Sequence, residues 1–299
     1  MGSRLFSPGD ATDPIYVNLR DIDDEHTRVA RAFAEHLWDG FRRFADPHFL
    51  TEVRRDFHAR FWEMYLTCSL ERSAAKLGAV LSCPKPGPDI LFERGGKRIW
   101  IEAVVATNGI AGAPDSVVEP NTDGSGKIPE EKLVLRYANS ISEKYRKYQG
   151  YLKGGFIQPN DAFVIAINGA ALSYKWTRAQ GDAPRFLKAV YPIGVYQLLL
   201  DRHTGKIVGE QNEPRFSIPK ASGKHVETMT FLEKGLEGIS AIVGSYADVT
   251  CHRTELGFDF EVAHNPMARV PVVDSTILAK KSWKATLTDD GAELTGHML

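Results

Sequence analysis

Three carboxylates, Glu63, Asp89 and Glu102, have the residue type and the local setting for joint chemistry. Glu102 lies in Ile99-Trp100-Ile101-Glu102-Ala103-Val104-Val105, a run that reads as a β-strand. The two-residue period of a strand puts Trp100, Glu102 and Val104 on one face and Ile99, Ile101 and Ala103 on the other. A carboxylate among apolar neighbours is costly to bury alone, and a cation offsets that cost. Asp89 precedes a second strand, Ile90-Leu91-Phe92, joined to the first through Gly95-Gly96, so the hairpin brings Asp89 toward Glu102. Two such oxygen ligands, with waters completing an octahedron, suit Mg²⁺ or Mn²⁺. An ion held there can ionise a water and stabilise a leaving alkoxide, the needs of phosphodiester hydrolysis.

The elements that must position these groups follow from the hydrophobic period. Residues 25–44 read as a helix with Val29, Phe33, Leu37 and Phe41 inward. A second helix is expected over 50–77, carrying Glu63 and stopped by Gly78. Residues 79–81 read as a strand ahead of the hairpin. The Gly-, Asn-, Asp- and Pro-rich stretch 107–129 reads as a long loop of the functional or mobile kind. A basic helix is expected over 129–151, and the apolar run 162–168 reads as a central strand covered on both faces. Farther on, the pattern predicts a helix at 184–191, a hairpin of 195–200 with 207–208 turning at 201–205, and strands at 239–245 and 258–264. Residues 9–25, with six acids against Arg20, read as a solvated arm or connector.

The order Glu63, then Gly87-Pro88-Asp89, then Trp100-Ile101-Glu102-Ala103-Val104 resembles the PD-(D/E)xK nuclease superfamily over residues 50–170. The resemblance implies an α/β protein with a restriction-endonuclease-like mixed central sheet flanked by helices, built on an α-β-β-β-α-β core. It further implies Asp89 and Glu102 as metal ligands, the Ala103 carbonyl as a third, and Glu63 as an outer or second-metal ligand. The superfamily's lysine, two residues after the Glu, is Val104 here. Some members take that lysine from the next helix, where Arg136, Ser140 and Lys144 are spaced by four and share one side. Lys144 is therefore expected to replace the missing lysine, with Arg136, Ser140 and Lys147 contacting nucleic acid.

This divides the chain into an N-terminal arm and helix (1–49), a nuclease-like core (50–170) and a C-terminal β-rich α/β elaboration (171–299) of the same compact domain. The expected activity is Mg²⁺- or Mn²⁺-dependent hydrolysis of DNA, with RNA as the other polymer, in a defence or repair setting. A second reading, from a different class, is a nuclease-fold protein that binds nucleic acid or a protein partner without cutting, since loss of the motif lysine also fits that outcome. A small-molecule α/β enzyme is a third, if loop 107–129 closes a pocket too small for a duplex.

Other signals are thinner. Gly124-Ser125-Gly126-Lys127-Ile128 resembles the end of a phosphate-binding loop, but lacks its first Gly and has Ile where Ser or Thr would meet Mg²⁺. Cys251, His252 and His264 match no zinc spacing, and His58 reads as a helix-surface residue. There is no G-x-S-x-G or H-E-x-x-H. In 299 residues, 37 Lys and Arg stand against 38 Asp and Glu, which excludes holding DNA by average charge and requires a local basic patch. The helix from Lys132 to Lys153 supplies one, with six bases against Glu143. Three unpaired-looking cysteines, no signal-peptide pattern and no apolar run near about 18 residues lead to the expectation of a cytoplasmic protein off the membrane. Duplex cleavage needs two sites or two successive nicks, so a two-fold homodimer is the expected assembly.

Overall fold

The seven residues Ala162–Asn168 are buried without exception, and the fold is arranged around them. The structure is a computed structural model describing residues 4–121, 126–177, 182–273, 276–288 and 291–298. In chain order its elements are α1 (Pro14–Asp21), α2 (Glu25–Phe41), α3 (Phe49–Glu52), α4 (Phe57–Leu77), β1 (Val80–Ser82), β2 (Ile90–Arg94), β3 (Lys97–Val105), α5 (Glu130–Lys153), β4 (Ala162–Asn168) and α6 (Arg185–Lys188). There follow β5 (Ile193–Leu200), β6 (Ile207–Pro214), β7 (Ser217–Pro219), β8 (His225–Glu227), β9 (Ala241–Ser245), β10 (Glu261–His264), β11 (Lys281–Thr288) and β12 (Gly291–Met298).

Eight strands form one mixed sheet in the order β1-β2-β3-β4-β9-β10-β11-β12. β3, β4 and β9 run parallel, while β1–β2–β3 is an antiparallel meander. Each face has its own core. Ile99, Ile101, Val164, Ala166 and Val243 pack with α1, α2 and α4, whereas Trp100, Ile165, Ile167 and Ile242 pack with α5 and α6. That is the alternation read from β3, and the continuous apolar run of β4 follows because both of its faces are covered. Each large aliphatic side chain so buried contributes about 1.5–3 kcal/mol. The fold is thus mixed α/β, a large central sheet flanked by helices. Among the described residues no helix is long and apolar enough to cross a membrane.

Several elements differ from the sequence expectation. The acidic stretch 9–25 is not a solvated arm: it holds α1, which buries Tyr16 and Leu19. Two of its six acids, Asp13 and Asp24, are helix caps. Asp13 accepts from the Ile15 and Tyr16 amides and also from the Phe57 amide at 3.0 Å, and Asp24 accepts from Thr27 at 2.7 Å. The helix expected over 50–77 is two, because Asp56 leaves helical geometry and caps α4 through the Ala59 amide. Gly78 ends α4 at φ 63°, as expected. On α2, Val29 points outward and the small Ala30 and Ala34 face the core with Leu37, Trp38 and Phe41. The helix at 184–191 shrinks to one turn, and the strand at 258–264 begins only at Glu261. The β11–β12 pair was not foreseen, since Lys281–Thr288 is largely polar.

Candidate active site

β3 and β2 pair with Ile90 opposite Ile101, and the next step of that register sets Asp89 opposite Glu102. Asp89 is fixed there, accepting from the Ala103 amide at 2.8 Å, with the Lys85 ammonium 3.7 Å away. The turn that delivers Asp89 favours Gly87 because its φ is 151°, a conformation that residues with a Cβ rarely adopt.

Glu102 is fully buried on the α5 side of the sheet. One of its oxygens accepts from Lys144 Nζ at 3.0 Å and from Lys147 Nζ at 2.5 Å, and the other accepts from the Tyr151 hydroxyl at 3.4 Å. Positions 144, 147 and 151 recur at three- and four-residue steps, so one face of α5 supplies all three. Burial alone would lower the Lys147 pKa, but hydrogen bonding to Glu102 and its charge outweigh that and raise it. Burial, then the charge of Glu102, raises Tyr151.

Glu63 comes from the opposite face, on α4. The indole of its neighbour Trp62 donates to the Ala166 carbonyl at 3.0 Å and so pins α4 across β4. Glu63 accepts from Arg60 at 2.7 Å. Burial first, and then the negative charge of Asp89, raise the Glu63 carboxyl above its ordinary pKa; Arg60 opposes this only in part. Burial, reinforced by Glu63, pushes the Cys83 thiol up to about 12, so at neutral pH it is an uncharged neighbour of the site.

A cleft of about 400 Å³ opens at the C-terminal end of β3. Glu63, Asp89, Glu102, Ala103, Lys144 and Lys147 all line it, joined by Arg60 and Thr107. Arg136 and Ser140 do not. Arg136 donates to the Thr107 carbonyl at 2.6 Å, tying the chain that leaves β3 to α5, and the Ser140 hydroxyl donates back to the Arg136 carbonyl at 3.0 Å. The four-residue spacing put them on the right helix but turned them past the cleft. His58 faces Lys175 and Asp248, and its pKa is lowered by burial and then by Lys175. His252 stacks on Phe33 at 3.5 Å between centroids. The Gly124-Ser125 part of the loop resembling a phosphate-binding motif lies outside the described residues. Sequence reasoning missed Arg60, Lys85 and Tyr151, whose signals are their offsets of three, four and seven residues from Glu63, Asp89 and Lys144.

The donor set can be tested against Mg²⁺ or Mn²⁺. Among the described residues no three His, Cys, Asp or Glu side chains gather tightly around one point. The available donors are two carboxylates on adjacent strands and a main-chain carbonyl, all hard oxygens of the kind these ions take with waters. The Glu63 carboxyl, raised by burial first and by the charge of Asp89 second, stands beside this set as a further hard oxygen. The chemistry fits, provided Glu102 shares the oxygen now held by two ammonium groups. No protein-family model, curated protein or solved structure matches the chain.

Proposed function

We propose that the chain is a metal-dependent endonuclease of the PD-(D/E)xK type, hydrolysing phosphodiester bonds in DNA. The observation that carries this reading is the delivery of Lys144 from α5 to within 3.0 Å of Glu102, in the cleft that Asp89 and Glu63 also line. The ammonium missing two residues after Glu102 is thereby supplied from the next helix. The order α4-β1-β2-β3-α5-β4, with β3 and β4 parallel, supports a restriction-endonuclease-like core.

Asp89, Glu102 and the Ala103 carbonyl would hold Mg²⁺ or Mn²⁺, which when bound acidifies a water and offsets charge on the leaving oxygen. Lys144 aims positive charge at the phosphoryl oxygens as they become more negative. Glu63, whose proton affinity is raised, is the carboxylate suited to accept a proton from water. Lys147, half exposed at the mouth, attracts the phosphate backbone. Cutting both strands of a duplex would engage a two-fold pair of chains or two successive nicks.

The test is plasmid and single-stranded DNA incubated with the protein and Mg²⁺ or Mn²⁺. Cleavage is expected, with at least about 100-fold loss in Asp89→Asn and Glu102→Gln. Absence of metal-dependent cleavage by the wild-type protein, or its persistence in both variants, overturns the proposal. One observation favours the second reading, binding without cutting: both Glu102 oxygens already have protein partners. DNA binding that is indifferent to metal, with no cleavage, would select it.

A further inference from the structure

A second cavity, of about 310 Å³, is bounded by Trp176, Tyr246, Ala247, Cys251, Arg253 and Lys280. Trp176 is 60% exposed, whereas Trp38, Trp62 and Trp100 are buried and Trp283 donates its indole N–H to Glu261 at 2.8 Å. Its ring stands 6.4 Å from that of Tyr246, inclined at 42°. The Lys175 ammonium sits 5.5 Å from the indole and is held by Asp248 at 2.7 Å. Both acids that line the cavity are engaged by the protein, Asp259 accepting from Tyr65 and Ser245 and Glu261 from the Trp283 indole. The exposed Trp176 indole, with Arg253 and Lys280 beside it, borders the space a ligand would enter.

The chain leading to Trp176 is constrained. Tyr174 has φ 63°, a conformation bulky residues rarely adopt, and its carbonyl accepts from Arg185 at 2.8 Å. Arg185 is itself buried and paired with Glu130 of α5 at 2.9 Å. Two residues on from Tyr174, Trp176 presents its exposed ring from this constrained stretch of chain.

Its position says what for. Val105, Asn168 and Ser245 are level across β3, β4 and β9. Thr107 of the catalytic cleft and Tyr246 of the second cavity leave the same edge of the sheet two strands apart, about 10 Å at the usual strand spacing. We propose that the Trp176–Tyr246 cavity stacks one unpaired nucleobase flanking the phosphate held in the cleft. The inference rests on the nuclease reading and sharpens it, making the preferred substrate a single-stranded or locally opened strand. A base offers a π-face to the indole whatever its identity, and the rim cations suit the adjoining phosphates.

The experiment uses the full chain and single-stranded DNA oligonucleotides without added metal, so that binding is read before cleavage. Because Trp176 alone among the described tryptophans is exposed, tryptophan emission should be quenched on binding, and Trp176→Ala should abolish the quench. A series carrying one abasic site at successive positions should lose affinity about 10- to 100-fold at a single offset. That dip should vanish in Trp176→Ala and return in Trp176→Phe. DNA binding or cleavage with unchanged emission and a flat abasic series overturns the stacking site and leaves the nuclease reading standing. A quench and a positional dip without cleavage on adding Mg²⁺ or Mn²⁺ keeps the stacking site and overturns the nuclease. No DNA binding at all overturns both.

Discussion

Lys144 and Lys147 meet the same oxygen of Glu102, yet they are not equivalent. Lys144 is 14% exposed and Lys147 47%, so only the first delivers its charge in a setting largely screened from water. Lys144→Met is expected to lower cleavage by about 100- to 1000-fold at saturating DNA, the effect of removing a positioned transition-state donor. Lys147→Met should chiefly weaken DNA binding, seen as a raised KM with kcat largely kept. Wild-type rates in Lys144→Met would remove that lysine from the mechanism. Glu63 makes a pH prediction. Its folded-state pKa is raised, so between its ordinary value and the raised one the folded chain binds more protons than the unfolded chain, and stability falls as pH rises. Glu63→Gln should remove that slope. Urea denaturation from about pH 4 to about pH 7 should show the variant gaining on the wild type with rising pH. A parallel pair of curves would mean that the carboxyl titrates as an ordinary one.

At the scale of elements, Asp13 holds two helices at once, capping α1 and accepting from the first amide of α4. Asp13→Ala should cost about 2 kcal/mol in urea denaturation, for a lost cap and an orphaned amide. The β5–β6 hairpin is a two-stranded sheet of its own, with Val195, Leu198, Leu200, Ile207 and Val208 exposed. Two strands without a third are marginal in water, so its amides should exchange hydrogen much faster than those of β4, which would exchange only on global unfolding. Equal protection would refute this. β3, β4 and the stop at Gly78 were legible because their signals are local: a period of two, an unbroken apolar run, a glycine after a helix. α1 was not legible, because Asp13 and Asp24 look like repelling charge until the amides they cap are known. β11 stayed hidden because its pairing with β10, not its own composition, makes it a strand.

Across the whole molecule, net charge near neutrality conceals a basic stretch of α5, Lys132–Lys153, beside the cleft. DNA affinity should therefore fall with salt with a slope of only two or three phosphates' worth, about −0.7 each for a single strand. A slope near zero would mean that phosphate is not what the cleft holds. Asp89 and Glu102 were legible as neighbours from register and period, whereas Glu63 was expected with them only through the family resemblance. Lys144 was expected beside them on the family resemblance, but that Lys147 meets the same Glu102 oxygen was not legible: both lysines reach Glu102 across more than 40 residues of chain, and only the packing of α5 on the sheet decides which helix face turns inward. The same two ammonium groups bear on how the protein forms. A site of bare acids must wait for its ion, and the chain around it is loose until the ion arrives. Here the counter-charge is carried on the neighbouring helix, so the cleft assembles with the fold. Chelation should then abolish cleavage while leaving the thermal midpoint nearly where it was, and added Mg²⁺ should raise it only by the mass action of binding.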